Sequence, residues 1–126
     1  MGKGFLIDSN SVIDFFNYAL PEGGIKLLSN TEPIISIITR IEIFSKRGLL
    51  ESEVAKLHDF LKVAVVYNVD ESIAARTVEI RLSHKIKLPD AVIAATALHY
   101  NLTLITRNVS DFNGIKGLKI IDPYTV

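Results

Sequence analysis

Short apolar runs alternate along this chain with longer stretches whose apolar residues recur every three or four positions. Gly4-Phe5-Leu6-Ile7 is a short buried strand that meets Asp8-Ser9-Asn10, three residue types that cap helices. Val12, Ile13, Phe16 and Leu20 then recur near helical spacing as far as Pro21 and the Gly23-Gly24 pair, and a short helix spans about 25–30. Pro33 opens a second strand through Ile34, Ile35 and Ser36, and Thr39 begins a helix that Gly48 closes. Glu51 to Lys62 is amphipathic, with Val54, Leu57 and Leu61 on one face, and leads to a strand at Val63 to Tyr67. Asp70 caps a helix with Ile73, Thr77 and Ile80 on one stripe and Arg76, Arg81 and Lys85 elsewhere. Pro89 restarts the chain in a helix from Asp90 to Tyr100, apolar enough all round to be buried on more than one side. Thr103 to Thr106 and Lys119 to Ile121 are the last two strands.

Strands joined by helices of these lengths require right-handed crossovers. They predict a parallel sheet with helices on both faces, in a single α/β domain over 1–126. A chain of 126 residues with 48% hydrophobic composition builds its core without disulfides, and there is no internal repeat or linker. Cysteine is absent, the N-terminus lacks the pattern of a secretory signal, and no apolar run is long enough to span a bilayer; the expectation is a cytoplasmic protein without membrane contact.

Four carboxylates, Asp8, Glu42, Asp90 and Asp111, sit where apolar runs end or helices begin. In a parallel α/β fold those points all lie at the C-terminal edge of the sheet, so the four converge on one cleft. An oxygen-only cluster of this kind suits a hard divalent cation, Mg²⁺ or Mn²⁺, and metal-assisted attack on a phosphodiester. Zero net charge argues against a nucleic-acid partner. With the four acids set aside in one cleft, however, 14 basic residues face 10 acidic ones, and that body can hold a phosphate backbone around an acidic centre.

Each acid also has a purely structural explanation. Asp8 caps the first helix; Thr39 and Glu42 have the spacing of a capping box, with Lys46 an i+4 partner of the glutamate. Asp90 follows Pro89 in a first helical turn, and Asp111 lies in a polar loop with Asn113-Gly114. Capping alone does not account for four acids at one edge, because crowded like charges raise each other's pKa values and cost stability unless a cation neutralises them.

The local sequences resemble those of PIN-domain ribonucleases, specifically the toxin half of VapBC toxin–antitoxin modules, over nearly the whole chain. Leu6-Ile7-Asp8-Ser9-Asn10 is similar to the family's opening strand and aspartate, and Ser36 to Glu42 to its threonine-x-x-glutamate segment. Leu88-Pro89-Asp90-Ala91-Val92-Ile93-Ala94-Ala95-Thr96-Ala97 resembles its most specific stretch. Leu104 to Phe112, followed by Ile115 to Leu118 and Pro123, resembles its C-terminal signature. The resemblance implies a PIN-like three-layer α/β/α domain with a central parallel sheet of about five strands, Mg²⁺- or Mn²⁺-dependent endonucleolytic cleavage of RNA, homodimerisation, and inhibition by a cognate antitoxin. In such a site Asp8, Asp90 and Asp111 hold the metal and Glu42 completes the shell or orients the attacking water.

Asn10 and Thr106 are neutral groups suited to positioning the acids, with helix capping and strand-end bonding as their structural alternatives. Arg107 and Asn108 are candidates to touch the RNA backbone; Arg40 is another, or a solvated surface residue. His58, His84 and His99 show no ligand spacing, and the aromatic residues form no base-stacking platform of the RRM kind. Two other classes remain: a non-catalytic metal- or partner-binding domain, and an aspartyl phosphotransferase with Asp8 as nucleophile, against which Asn10 replaces the usual second aspartate.

Overall fold

Strands and helices alternate through residues 4–126, which a computed structural model describes; the first three residues of the domain expected over 1–126 lie outside that range. Strand β1 (Phe5–Ile7) passes through Asp8 into α1 (Ser9–Phe16), and the Asp8 carboxylate caps the helix by accepting the Ser11 amide at 2.9 Å. Next come α2 (Glu22–Ser29), β2 (Ile34–Ser36), α3 (Ile37–Phe44), α4 (Glu51–Val63), β3 (Val65–Tyr67), α5 (Glu71–Ser83) and α6 (Leu88–His99). β4 (Thr103–Ile105), a 3₁₀ turn (Val109–Phe112) and β5 (Ile120–Ile121) follow.

All strand pairings are parallel. The sequence predicted one sheet of about five strands; the hydrogen bonds instead form two ladders, β1-β4-β5 and β2-β3. β1 and β2 still lie side by side, giving the spatial order β5-β4-β1-β2-β3 with one unbonded seam. Strands of two or three residues offer few rungs, so a small divergence is enough to interrupt the pairing.

Alternation along these strands divides the core between the two faces of the sheet. Leu6, Ile34, Leu104 and Ile120 join a cluster with Ile73 and Ile80 of α5 and Ala91 to Ala95 of α6. Their neighbours Ile7, Ile35, Ile105 and Ile121 turn the other way, onto Val12 and Ile13 of α1, Leu28 of α2 and Leu57 of α4. The result is three layers, helix on sheet on helix. As its composition predicts, α6 is buried on every side from Ala91 through Ala97, and its small side chains allow α5 to lie close against it.

Local departures from the sequence pattern have local causes. α1 ends at Phe16 because Tyr18 takes a left-handed conformation (φ 56°), which leaves Leu20 buried but outside the helix. β2 turns directly into α3 with no intervening loop, because Ser36 is both the last strand residue and the N-cap, its Oγ accepting the Ile38 amide at 3.0 Å. Thr39 is therefore inside the helix, and the capping box expected from Thr39 and Glu42 does not form; the Thr39 hydroxyl is fully buried without a hydrogen-bond partner. α3 ends at Phe44, before Gly48. Phe15, Phe16, Leu49 and Leu61 pack partly buried against the second cluster, whereas Leu50 is 66% exposed.

Gly23 and Gly24, which look like a helix break, lie inside α2. The C-terminal tail is seated where their side chains would be: a Cβ on Gly24 would meet the Pro123 carbonyl oxygen, and one on Gly23 the Val126 carbonyl. The Tyr124 hydroxyl fastens the same tail to α1 by donating to Asp14 Oδ2 at 2.7 Å. Gly24→Ala would gain about 1 kcal/mol of helix propensity but overpack against backbone at a cost of about 1–3 kcal/mol. A net loss is expected, read as a lower urea midpoint; a higher one would mean that the tail does not sit on α2.

Candidate active site

Asp8 stands at the point where three constraints meet. Its N–H extends the β1 ladder to the Ile105 carbonyl (3.1 Å), its carboxylate caps α1, and its side chain is buried, with the residue 6% exposed. Thr106 occupies the matching position at the end of β4, where its N–H bonds the Ile121 carbonyl at 3.1 Å. The Thr106 hydroxyl accepts the Asn108 amide at 3.1 Å and lies close enough to the Asp8 carboxylate to lower its pKa. Burial raises the Asp8 pKa above the ordinary carboxylate value, outweighing the hydrogen bonds from Thr106 and Ser11 that lower it.

Glu42 projects from the second turn of α3, half-buried, toward α1. Its Oε1 accepts the Ser9 hydroxyl at 3.0 Å, a bond across 33 residues that fixes the glutamate beside Asp8. Burial raises its pKa, the Ser9 bond lowers it, and the charges of Asp90 and Asp8 add to the rise. Nothing in the local sequence distinguishes Ser9 from an ordinary helix-start residue; its role appears only when α1 and α3 pack together.

Asp90 lies in the first turn of α6, half-buried, and Asp111 in the exposed 3₁₀ turn after β4. Asp90 is raised by burial first and by the Asp111 charge next; Lys87 pulls it down and Asp8 pushes it up. Asp90 and Asp111 share a polar hollow of about 230 Å³ with Ser110, Lys85, Ile86 and Lys87. The electrostatic couplings therefore run Glu42 to Asp8 and Asp90, and Asp90 to Asp8 and Asp111, linking all four acids at one edge of the sheet.

The supporting residues divide. Thr106 belongs to the cluster. Asn10 is exposed on α1, and among the described residues its side chain bonds no acid. Arg107 is drawn away toward Asp14 (3.7 Å) and lies over the Tyr124 ring, 5.5 Å from its centroid. Arg40 is exposed. The histidines stay clear of the acids: His58 packs on Phe44, His99 on Tyr100, and His84, at the C-cap of α5, faces the Ile80 and Gly114 carbonyls.

Among the described residues, no three acidic, histidine or cysteine side chains are gathered tightly enough to grip one ion as they stand. The donor set nevertheless suits a hard cation: it is all carboxylate, and the acids oppose one another's ionisation, the condition that a divalent ion relieves.

Raised folded pKa values at Asp8, Glu42 and Asp90 mean that the folded state binds protons more tightly than the unfolded one. The stability they contribute is fully present below the ordinary values of 3.8 and 4.5 and is lost as pH rises through the folded values. Metal-free protein should therefore melt lower at neutral pH than near the ordinary carboxylate values. Asp90→Asn should melt higher than wild type at neutral pH and flatten this dependence. Identical pH profiles for the two proteins would show the carboxylates to be uncoupled.

The family model of the PIN domain matches residues 5–117. Among solved structures, the chain is similar to one in a toxin–antitoxin complex from Klebsiella pneumoniae, at 34% identity and a TM-score of 0.76 over 98% of this chain and 100% of the other. It is also similar to a chain of DNA-bound VapBC from Salmonella typhimurium, at 26% identity and a TM-score of 0.78 over 95% and 98% of the two chains. FitAcB from Neisseria gonorrhoeae, at 23% identity and a TM-score of 0.76 over 97% and 99%, shares the fold. Comparison with curated proteins gives no match. With the family model spanning strands β1 to β4 and all four acids, the chain belongs to the PIN-domain family, in the form found in VapBC toxin–antitoxin complexes.

Proposed function

We propose that this protein is a divalent-metal-dependent endoribonuclease acting as the toxin of a toxin–antitoxin pair. The observation that carries the reading is the gathering of Asp8, Glu42, Asp90 and Asp111 at one edge of a parallel sheet, with Ser9 bonding Glu42 next to Asp8 and with Asp90 and Asp111 lining one polar hollow; membership of the PIN family, whose members are generally nucleases, supports it. Asp8, Asp90 and Asp111 would hold Mg²⁺ or Mn²⁺. When bound, the ion supplies Lewis acidity and a neutralising charge for phosphodiester hydrolysis.

The chain's own groups do the rest. Burial and neighbouring charges increase the proton affinity of Glu42, which suits it to take a proton from the water whose oxygen bonds to phosphorus as a P–O ester bond breaks. Ser9 occupies Oε1 and so leaves Oε2 for that proton. Thr106 and the Ser11 amide hold the Asp8 carboxylate in a single orientation. The same engagement and burial disfavour Asp8 as the nucleophile of a phosphotransferase.

Two further surfaces belong to this reading. An apolar hollow of about 210 Å³, lined by Val12, Phe15, Phe16, Leu28, Pro33 and Phe60, would receive an antitoxin segment. Val78 (58% exposed), Leu82 (83%) and Leu88 (53%) border a larger hollow of about 490 Å³ beside α5, and this face would join two copies into a homodimer. No helix among the described residues is long and apolar enough to cross a membrane.

In cleavage assays with Mn²⁺ and a chelator control, Asp8→Asn, Asp90→Asn and Asp111→Asn should each abolish most activity, and combining them should add little because they act as one unit. Glu42→Gln should be severe. Ser9→Ala should lower kcat about tenfold or more, with partial rescue by Ser9→Thr and no further loss in the Glu42→Gln background. Wild-type-like cleavage by Asp8→Asn or Asp90→Asn would refute the mechanism; metal-independent inertness of a well-folded wild type would favour a binding domain.

For the dimer, light scattering at tens of micromolar protein should report two copies in wild type and one in Leu82→Glu. A monomeric wild type would reject the α5 face as an interface.

A further inference from the structure

The hollow that holds Asp90 and Asp111 is also lined by Lys85 and Lys87. Both lysines are exposed in the single chain, Lys85 also lining the hollow beside α5 proposed above as the dimer face, and both come from the short connection between α5 and α6, which ends at the N-cap of α6. Neither forms an ion pair: the pairs among the described residues are Lys26–Glu22, Lys62–Asp59 and Arg107–Asp14. Lys87 is near enough for its charge to lower the Asp90 pKa, yet its ammonium group is not bonded to that carboxylate. Two unpaired ammonium groups therefore share about 230 Å³ of polar space with two carboxylates. A phosphodiester approaching the acids meets a repulsive field, which unpaired cations beside the acids would offset. Cations that line the same hollow as the acids are the ones placed to supply that attraction.

Resting on the nuclease reading above, we propose that Lys85 and Lys87 form the substrate-phosphate clamp of this site: their ammonium groups hold the non-bridging oxygens of the RNA phosphodiester that adjoins the scissile one. Lysine suits this role as a compact point charge that binds phosphate without regard to base identity, so the clamp fixes position and leaves sequence choice to other surfaces. The assignment adds to the basic contact that the sequence suggested at Arg107, which lies 3.7 Å from Asp14 and over the Tyr124 ring. Backbone strain plays no part, because Lys87 is in an ordinary extended conformation (φ −67°, ψ 150°).

The test uses the full chain and a short fluorescein-labelled single-stranded RNA of mixed sequence. Binding is followed by anisotropy in EDTA, where cleavage is silent, over about 50–200 mM NaCl. Lys85→Gln/Lys87→Gln should weaken binding roughly tenfold at the lowest salt and make the slope of log Kd against log salt shallower by about 0.7 for each lysine removed. With Mn²⁺ present, the same variant should raise KM by a similar factor while kcat stays within about twofold. Lys56→Gln/Lys62→Gln on α4, with the same charge change on the opposite face of the sheet, should leave Kd, slope and KM near wild type. All variants should keep a cooperative thermal transition, since the four side chains are exposed. A double variant at Lys85 and Lys87 that keeps the wild-type Kd and salt slope, or loses no more than the α4 control, overturns the clamp. So does a variant altered only in its Mn²⁺-induced thermal shift, because Lys87 would then act only on Asp90. Those results leave the nuclease reading standing if wild type still cleaves; a wild type that neither binds nor cleaves RNA removes both.

Discussion

A buried carboxylate at the junction of β1 and α1 sets the geometry of this molecule. Asp8 ends a strand, starts a helix and lies against the end of the neighbouring strand, so its side chain cannot relax into solvent without giving up the Ser11 cap. A charge held in that way is costly. The arrangement is tolerable because the Thr106 hydroxyl and the Ser11 amide are already in place to receive it, both delivered by the same short sheet. The remaining acids reach Asp8 through three different elements, α3, α6 and the 3₁₀ turn, and each is fixed by core packing on one face of the sheet or the other. The acidic edge is therefore a property of the whole fold.

This dependence explains what the sequence made legible. Five strands, the helices between them and the two-faced burial follow from periodicity, because apolar runs of three residues ending in Asp8, Ser36 or Thr106 have few other ways to be satisfied. Asp8, Asp90 and Asp111 were visible as acids at element ends for the same reason, whereas Glu42, read as a helix-start residue, lies in the second turn of α3. Positions that depend on distant partners were hidden. Ser9 reads as an ordinary helix-start residue until α3 brings Glu42 to it, and Thr39 with Glu42 imitates a capping box that the earlier cap at Ser36 pre-empts. The Gly23-Gly24 pair signals a helix break, and only the tail from Pro123 to Val126 reveals why α2 continues through it. The seam between β1 and β2 was equally invisible, since ladder continuity depends on fine divergence between strands and not on their composition.

The charge distribution carries a similar lesson. A net charge of zero describes no surface of this protein. Acids are gathered at the sheet edge, and basic side chains stand around it in different states of engagement: Arg107 is drawn toward Asp14 and Tyr124, while Lys85 and Lys87 enter no ion pair among the described residues. Which cations are free to meet a ligand is decided by neighbours far away in sequence, and composition alone could not rank them.

The passage from β2 to α3 without a loop has a consequence for how this chain can vary. With Ser36 serving both strand and helix, the register of β2 against β3 fixes the rotational setting of α3. One residue inserted or deleted there would turn everything downstream by about 100° around the helix axis. Glu42 would then point away from Ser9 although every side chain remained chemically intact. Point substitutions can be absorbed at this joint far more readily than changes of length, whereas the segment between α3 and α4, exposed around Gly48, has room for either. Length variation among chains of this architecture should accordingly collect after α3 and be scarce before it.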